Sequence, residues 1–264
     1  MNILITNDDG IDSAALVPFV EAMQGLGDIR VVVPAGERSW IGKAITRHGT
    51  IPIREELRGR HRMLAAGGTP ADCVSLAVHS IGAPRPDLVI SGINLGLNYS
   101  AAFLLSSGTV GAAIEAWIAG VPSIAFSMGL PTDAWGVTDR VDRTRITECA
   151  RHTSAVSRAI VDTLLAHGYP QGIDTITVNM PAHATLESPR VVTGVTRSRY
   201  GRLFVPQEDG TYVHQFENLW ATEDDPRGDM AVVDGGGVSI APLRLDLATS
   251  MPDSLRDAFE KPAG

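Results

Sequence analysis

The sequence contains little of what several protein classes require. Only two of its 264 residues are cysteines, Cys73 and Cys149, which are too few for a disulfide framework and lack the spacing of metal ligands. Aromatic residues make up 5% of the chain, and no cluster of lysines and arginines is interleaved with them. Because the formal net charge is −8, we do not expect the chain to bind a nucleic-acid polymer.

Long apolar runs are also missing. Apolar stretches such as residues 88–90 and 121–126 are far shorter than the roughly 20 residues that a membrane-spanning helix needs, so we expect no membrane span. Met1 and Asn2 lead directly into the apolar Ile3-Leu4-Ile5, without the basic segment of a secretory signal. We therefore expect a cytoplasmic protein.

Three common catalytic motifs are not present. Residues 36–43 resemble a P-loop, but five residues separate Gly36 from Gly42 where the motif has four, and Ala44 replaces the hydroxyl residue that would bind Mg²⁺. The first apolar run is not followed by Gly-x-Gly-x-x-Gly, and no Gly-x-Ser-x-Gly occurs. These absences argue against a P-loop NTPase, a dinucleotide-dependent oxidoreductase and an α/β-hydrolase.

What the sequence does have is an alternation of apolar runs and helical patterns. Thr69 has the features of a helix N-cap, with Pro70 at the first helical position and Asp72 where a capping-box acid belongs. Strands alternating with helices predict an α/β fold with a doubly wound, mostly parallel sheet. Buried strands are predicted at residues 2–6, 31–33, 62–66, 86–91, 122–126 and 175–179, and helices at 16–23, after 69, after 109 and at 143–167.

A different pattern begins after residue 184. Short runs at residues 191–195, 202–205 and 212–216, with a turn at 208–210, predict antiparallel strands or β-hairpins. We therefore divide the chain into a catalytic core at 1–184, a β-hairpin extension at 185–235 and a C-terminal segment at 236–264 that returns to the core. A β segment outside a doubly wound core often contacts a neighbouring subunit, so we expect the extension to mediate oligomerisation.

Four loops after predicted strands carry polar residues suited to chemistry, at residues 7–10, 36–39, 91–94 and 106–109. Ligands of open α/β sheets bind beyond the carboxyl ends of the strands, where such loops meet. Asp8 and Asp9 are adjacent carboxylates that can both stay ionised beside a divalent cation, and oxygen ligands favour Mg²⁺ or Mn²⁺. The alternative is a simple turn in which Asp9 caps the next helix.

The last of these loops leads into a predicted helix. Ser107, Gly108 and Thr109 would place hydroxyls and free amides at its N-terminus, where a phosphate binds favourably. Ordinary N-capping by Ser107 or Thr109 is the alternative. Asn94 and Asn98 are either site residues or turn formers.

Four motifs together resemble the survival protein SurE family, and they occur in the family's order at residues 6–10, 68–74, 91–94 and 107–113. Residues 178–181 and 238–243 also resemble later family segments. The chain departs from the family's usual pattern at Trp40 and Gly42, in place of Gly and Ser, and at Ser100 and Ala101, in place of Gly and Asp.

The resemblance implies a Rossmann-like core, one divalent cation per subunit, and an extension exchanged between the subunits of a homodimer or homotetramer. Carried over residue by residue, it implies that Asp8, Asp9, Ser39 and Asn94 are metal ligands and that Asp8 and Asp9 are also catalytic. It further implies that Asn98, Ser106, Ser107, Gly108 and Thr109 lie at the phosphate of the substrate.

The activity that the resemblance implies is the metal-dependent hydrolysis of nucleoside 5′- and 3′-monophosphates to nucleoside and phosphate. Attack by water, with Asp8 orienting or deprotonating it, and attack by an aspartate that forms a phospho-enzyme are both open. A phosphatase for another small phosphomonoester or a short polyphosphate is one alternative function. A nucleotide-binding module without turnover is another.

Overall fold

The structure is a computed structural model that describes residues 1–82, 84–131 and 142–260. The strands within these residues are β1 (Asn2–Thr6), β2 (Asp28–Pro34), β3 (Ile53–Arg58), β4 (His61–Ala66), β5 (Leu88–Leu95), β6 (Ser123–Met128), β7 (Thr175–Met180), β8 (Arg190–Val192), β9 (Ser198–Tyr200), β10 (Phe204–Pro206), β11 (Tyr212–His214), β12 (Leu219–Ala221) and β13 (Val238–Leu243). The helices are α1 (Leu16–Met23), α2 (Pro70–His79), α3 (Ser100–Ser106), α4 (Gly108–Ile118), α5 (Arg143–His167), α6 (Asp229–Asp234) and α7 (Asp253–Glu260).

Nine strands form one central sheet in the order β3-β4-β2-β1-β5-β6-β7-β13-β8. The strands from β4 to β7 pair in parallel, whereas β3 is antiparallel to β4, and β13 is antiparallel to β7. The expected doubly wound, mostly parallel α/β sheet is therefore confirmed.

The two faces of the sheet are covered by different helices. Ile3 and Ile5 of β1 pack in a cluster with Phe19 of α1 and residues of α5, whereas Leu4 packs on the other face with Val74 of α2 and residues of α4. Successive side chains of a strand point to opposite faces, so one short apolar strand contributes to both layers of the core. This explains why the central strands are apolar throughout instead of alternating.

The start of α2 agrees with its sequence signature. The Thr69 hydroxyl accepts a hydrogen bond from the Asp72 amide at 3.1 Å, and the Asp72 carboxylate accepts one from the Thr69 amide at 2.8 Å. The Thr69 hydroxyl also donates to the carbonyl of Ala44 at 2.6 Å. The capping box therefore fixes both the first turn of α2 and the chain that crosses it.

The C-terminal part contains two small antiparallel pairs, β10 with β11 and β9 with β12, as the sequence predicts for this segment. One expectation is wrong: β8, at the predicted strand 191–195, is parallel to β13 and forms the edge of the central sheet. The chain leaves β8, passes through β9 to β12 and α6, and returns in the same direction along β13. Residues 261–264 of the assigned C-terminal segment lie outside the described residues.

Among the elements not predicted from the sequence are β3, α3, α6 and α7. β3 is an edge strand whose residues are mostly charged and exposed, and α7 has no buried residue. α3 and α6 are only 7 and 6 residues long. β3 has few apolar residues, and α3 and α6 are too short to show an apolar period. Helix α7 does carry Leu255 and Phe259 at helical spacing, but both side chains are exposed.

No single helix in the described part of the chain is long and apolar enough to cross a membrane. Helices α3 and α4 are together long and apolar enough, but the chain bends by 71° at the break between them.

We expect that Thr69→Ala lowers the free energy of unfolding by about 1–2 kcal/mol, because the N-cap acceptor of α2 is lost. Thr69→Ser keeps the hydroxyl and should stay close to the unsubstituted protein. Urea denaturation of both variants measures the difference. Equal midpoints for the alanine and serine variants would contradict the role of the cap.

Candidate functional site

The candidate site lies where the order of the sheet reverses. β1 pairs with β2 on one side and with β5 on the other, so the loops after β1 and β5 diverge from a shared crevice. Thr6, at the end of β1, is in register with Ser91 of β5. Asp8 and Asp9 follow β1 directly, and β5 continues past its predicted end to Leu95, so that Asn94 belongs to the strand.

The carboxylate of Asp8 is buried and points at the start of α4. The Thr109 hydroxyl donates to Asp8 Oδ1 and lies 3.4 Å from Asn94 Oδ1. Oxygens of Asp8 and Asn94 thus converge on one hydroxyl group, although the two residues are far apart in the sequence.

Gly108 allows this approach. A Cβ atom at this position would lie 2.8 Å from Asp8 Cβ and 3.1 Å from the side chain of Ile41. Any larger residue would push α4 away from Asp8. The glycine in the Ser-Gly-Thr motif is therefore required by close packing at the site.

The carboxylate of Asp9 points towards β5. Asp9 Oδ2 accepts a hydrogen bond from the amide of Leu95 at 3.0 Å, next to Asn94. The first loop is also tied to the second, because the Arg38 amide donates to the Asp8 carbonyl at 2.7 Å. Three of the four predicted metal ligands, Asp8, Asp9 and Asn94, therefore lie around one crevice.

Asp8 and Asp9 both have pKa values above those of exposed aspartates. Burial raises the pKa of Asp8 to about 6, although hydrogen bonds from the Thr109 hydroxyl and from the backbone of Thr109 and Gly108 act in the opposite direction. Burial and the neighbouring charge of Asp8 hold the pKa of Asp9 well above its usual range. Two carboxylates in this environment favour binding a proton or a cation.

The remaining predicted residues have other partners. The exposed Ser39 hydroxyl donates to Glu37 at 2.6 Å, and Ser39 directly follows Arg38, whose amide bonds to the Asp8 carbonyl. Asn98 lies at the ends of β6 and β7, where its amide donates to Asn179 Oδ1 at 2.7 Å and its side chain donates to Ser127 at 2.8 Å.

The two serines before Gly108 are also engaged. Ser107 caps α4 by accepting from the Val110 amide at 3.1 Å, which is the ordinary capping that its motif also allowed. The Ser106 hydroxyl bonds to the Ala102 carbonyl at 2.9 Å and to the Tyr200 hydroxyl at 2.6 Å. Tyr200 carried no signal in the sequence, because it belongs to the C-terminal part and reaches the site only in the fold.

The donor set suits a hard divalent cation. Two carboxylates and the amide oxygen of Asn94 are oxygen donors, and neither carboxylate forms an ion pair with a described residue. No group of three His, Cys, Asp or Glu side chains in the described ranges could hold a metal ion. A site here would therefore combine the two aspartates with neutral oxygen donors.

Comparison with known proteins agrees with the sequence motifs. The profile of the family described as survival protein SurE matches residues 3–202. A protein of Methanocella arvoryzae named 5′-nucleotidase SurE is 38% identical over 253 residues, covering 93% of this chain and 92% of that protein. One of the same name from Archaeoglobus fulgidus is 36% identical over 257 residues, covering 95% and 94% of the two chains.

The structure is similar as well. The crystal structure of the SurE protein from Aquifex aeolicus superposes with a TM-score of 0.77 at 29% identity, covering 99% of this chain and 100% of that one. The resemblance seen in the four motifs is thereby confirmed over nearly the whole chain. This chain belongs to the survival protein SurE family.

Proposed function

We propose that this chain is a divalent-cation-dependent nucleotidase that hydrolyses nucleoside 5′-monophosphates, and also 3′-monophosphates, to nucleoside and phosphate. The names of the relatives support the 5′ activity. In this chain, the observation that carries the proposal is the pair Asp8 and Asp9, placed between β5 and the N-terminus of α4.

Asp8, Asp9, Ser39 and Asn94 would hold one cation per subunit, Mg²⁺ or Mn²⁺. Such a cation, when bound, polarises a phosphoryl oxygen and lowers the pKa of a water molecule. The raised pKa values of both aspartates support this assignment, since a cation would offset the repulsion between their carboxylates. Ser39 would have to exchange its hydrogen bond with Glu37 for the cation.

The other steps belong to the residues of the chain. The N-terminus of α4, at Gly108 and Thr109, would bind the phosphoryl oxygens and stabilise the negative charge that develops on them. Asp8 would orient the attacking water and accept its proton, and the Thr109 hydroxyl would hold Asp8 in position. In the metal-free chain burial raises the pKa of Asp8 to about 6, so the carboxylate is largely ionised at neutral pH and can accept a hydrogen bond from the water.

We further propose that the protein is a cytoplasmic homodimer or homotetramer and that residues 185–235 contribute to the interface. Apolar side chains of this segment are largely exposed in the single chain, among them Phe204 at 56%, Tyr212 at 67% and Trp220 at 52%. A monomer rarely leaves so many large apolar groups in one region open to water.

Asp9→Asn should lower phosphate release from adenosine 5′-monophosphate by at least about 100-fold, since loss of even outer-shell partners of a metal costs up to about 100-fold. The assay measures release with EDTA and then with added Mg²⁺ or Mn²⁺. Asp12→Asn is the matched control, because Asp12 is exposed and pairs with Arg58 at 2.8 Å. Full activity of Asp9→Asn, or equal losses in both variants, would contradict the proposed site.

The metal-free protein should lose stability as pH rises from about 4 through about 6. The folded chain binds a proton at Asp8 more tightly than the unfolded chain does, so it holds more protons in this window and the free energy of unfolding falls with pH. Added Mg²⁺ or Mn²⁺ should raise the Tm more above pH 6 than below it, because cations and protons compete for the same oxygens.

Thermal unfolding across this range, with EDTA or with the cation, measures both effects. Asp8→Asn removes the titrating group. It should reduce the change in the free energy of unfolding of the metal-free protein across this pH range by on the order of 1–3 kcal/mol. An equal rise in Tm at both ends of the range, or an unchanged profile in Asp8→Asn, would refute the assignment.

The proposed assembly predicts a mass of two or four times 28.0 kDa in light scattering. Replacing Phe204 and Tyr212 together by serine should lower this mass, because the apolar groups that a partner would cover are removed. Leu247→Ser is the control, since Leu247 is 93% exposed but lies outside residues 185–235. A 28.0 kDa particle for the unsubstituted chain would rule out the oligomer.

A further inference from the structure

We propose that an aromatic cluster beside residues 106–109, which we call the phosphate loop, binds the base of the nucleotide by stacking, with Trp40 as its central residue. The Trp40 cluster consists of Trp40, Phe103, Tyr200, His214 and Phe216. This inference rests on the proposed nucleotidase function and names the part of the site that selects nucleotides among phosphomonoesters.

The cluster brings together three distant parts of the chain. The Trp40 ring lies 4.7 Å from His214, 5.5 Å from Tyr200 and 5.7 Å from Phe103, measured between ring centroids. Trp40 comes from the loop after β2, Phe103 from α3, and the other members from the C-terminal part. In a chain with only 5% aromatic residues, this convergence is a feature that needs an explanation.

The cluster is continuous with the phosphate loop. The Tyr200 hydroxyl lies 2.6 Å from the Ser106 hydroxyl, while its ring contacts Trp40. The Gly42 amide donates to the Ser106 carbonyl at 2.8 Å, so the segment that carries Trp40 is fixed on the loop before α4. A nucleotide held by its phosphate at this loop would place its base one sugar away, on the side where the cluster lies.

Part of the aromatic surface is open to a ligand. Trp40 is 41% exposed and lies outside residues 185–235, the segment assigned to the subunit interface. Trp40 has φ of 58°, in the left-handed region that bulky residues seldom adopt, and this conformation presents its ring to the cluster. The Tyr200 hydroxyl is engaged with Ser106, and apart from His214 the other members carry no ionisable group, so the surface offers mainly aromatic rings. Every base has a π-face that stacks on such a ring.

The surface therefore fits a nucleobase of any kind and would discriminate against phosphomonoesters that have no base. Replacing one stacking aromatic residue by alanine typically lowers the affinity for the base by about 5- to 150-fold. The expected preference is for adenosine 5′-monophosphate over ribose 5-phosphate, which has the same ribose and phosphate.

The experiment compares kcat/KM for these two substrates in the full chain with its cation. Trp40→Ala should lower kcat/KM for adenosine 5′-monophosphate by about 10- to 100-fold and change that for ribose 5-phosphate by less than about twofold. Trp40→Phe keeps a ring and should retain most of the preference. Trp117→Ala is the matched control, because Trp117 is 37% exposed and lies on α4 outside the cluster.

Trp40→Gly guards against a backbone effect, since glycine adopts a positive φ freely, and it should give the same loss as Trp40→Ala. Equal losses for both substrates would overturn the inference, because Trp40 would then only position the adjacent Ser39 loop. An unchanged ratio of kcat/KM for adenosine 5′-monophosphate to kcat/KM for ribose 5-phosphate would overturn it as well. If Trp40→Ala leaves this ratio unchanged but alters the oligomeric mass, the cluster is a subunit interface instead. Failure of the unsubstituted chain to hydrolyse either substrate would instead refute the proposed function itself.

Discussion

The burial of the Asp8 carboxylate against the N-terminus of α4 is the constraint on which the rest of the site depends. A carboxylate removed from water is costly, and Asp9 beside it adds repulsion. The Thr109 hydroxyl and the backbone at Gly108 offset only part of this cost, since the pKa of Asp8 stays at about 6. The protein thus keeps a concentration of negative charge next to a helix terminus that attracts anions. A divalent cation and a phosphate would each complement one side of this arrangement.

Close backbone packing makes this arrangement possible. Gly108 lets α4 approach Asp8, and Gly10, with φ of 83°, lets the first loop lie against Gly36, where a Cβ atom would come within 2.7 Å of the backbone. The Arg38 amide then bonds to the Asp8 carbonyl. The loops after β1 and β2 are therefore held together by main-chain contacts. Their side chains are not needed for this contact and can serve a ligand.

The C-terminal part is coupled to the same site through α3. The buried Asp229 accepts hydrogen bonds from the amides of Ser100 at 2.7 Å and Thr196 at 2.9 Å, so it holds the start of α3 against residues that follow β8. α3 ends at Ser106, which Tyr200 contacts from the same direction. An oligomer interface in this region would therefore act on residues 106–109 through hydrogen bonds that are buried at Asp229 and partly buried at Ser106.

The sequence by itself determined the alternation of strands and helices, the capping box at Thr69 and Asp72, and the crevice at the end of β1, because each follows from local apolar periods and hydrogen bonds between near neighbours. The meeting of Asp8, Asp9 and Asn94 was also foreseeable, since these residues follow or end parallel strands on one edge of the sheet, whereas Thr109 lies in α4, which follows α3 and not a strand. Only the tertiary structure decided that β8 is parallel to β13, that Ser39 bonds to Glu37, that Asn98 lies beside Asn179, and that Trp40 meets Tyr200 and His214. These contacts join residues whose own neighbours in the sequence carry no signal of the pairing, and their geometry depends on how whole loops pack against one another.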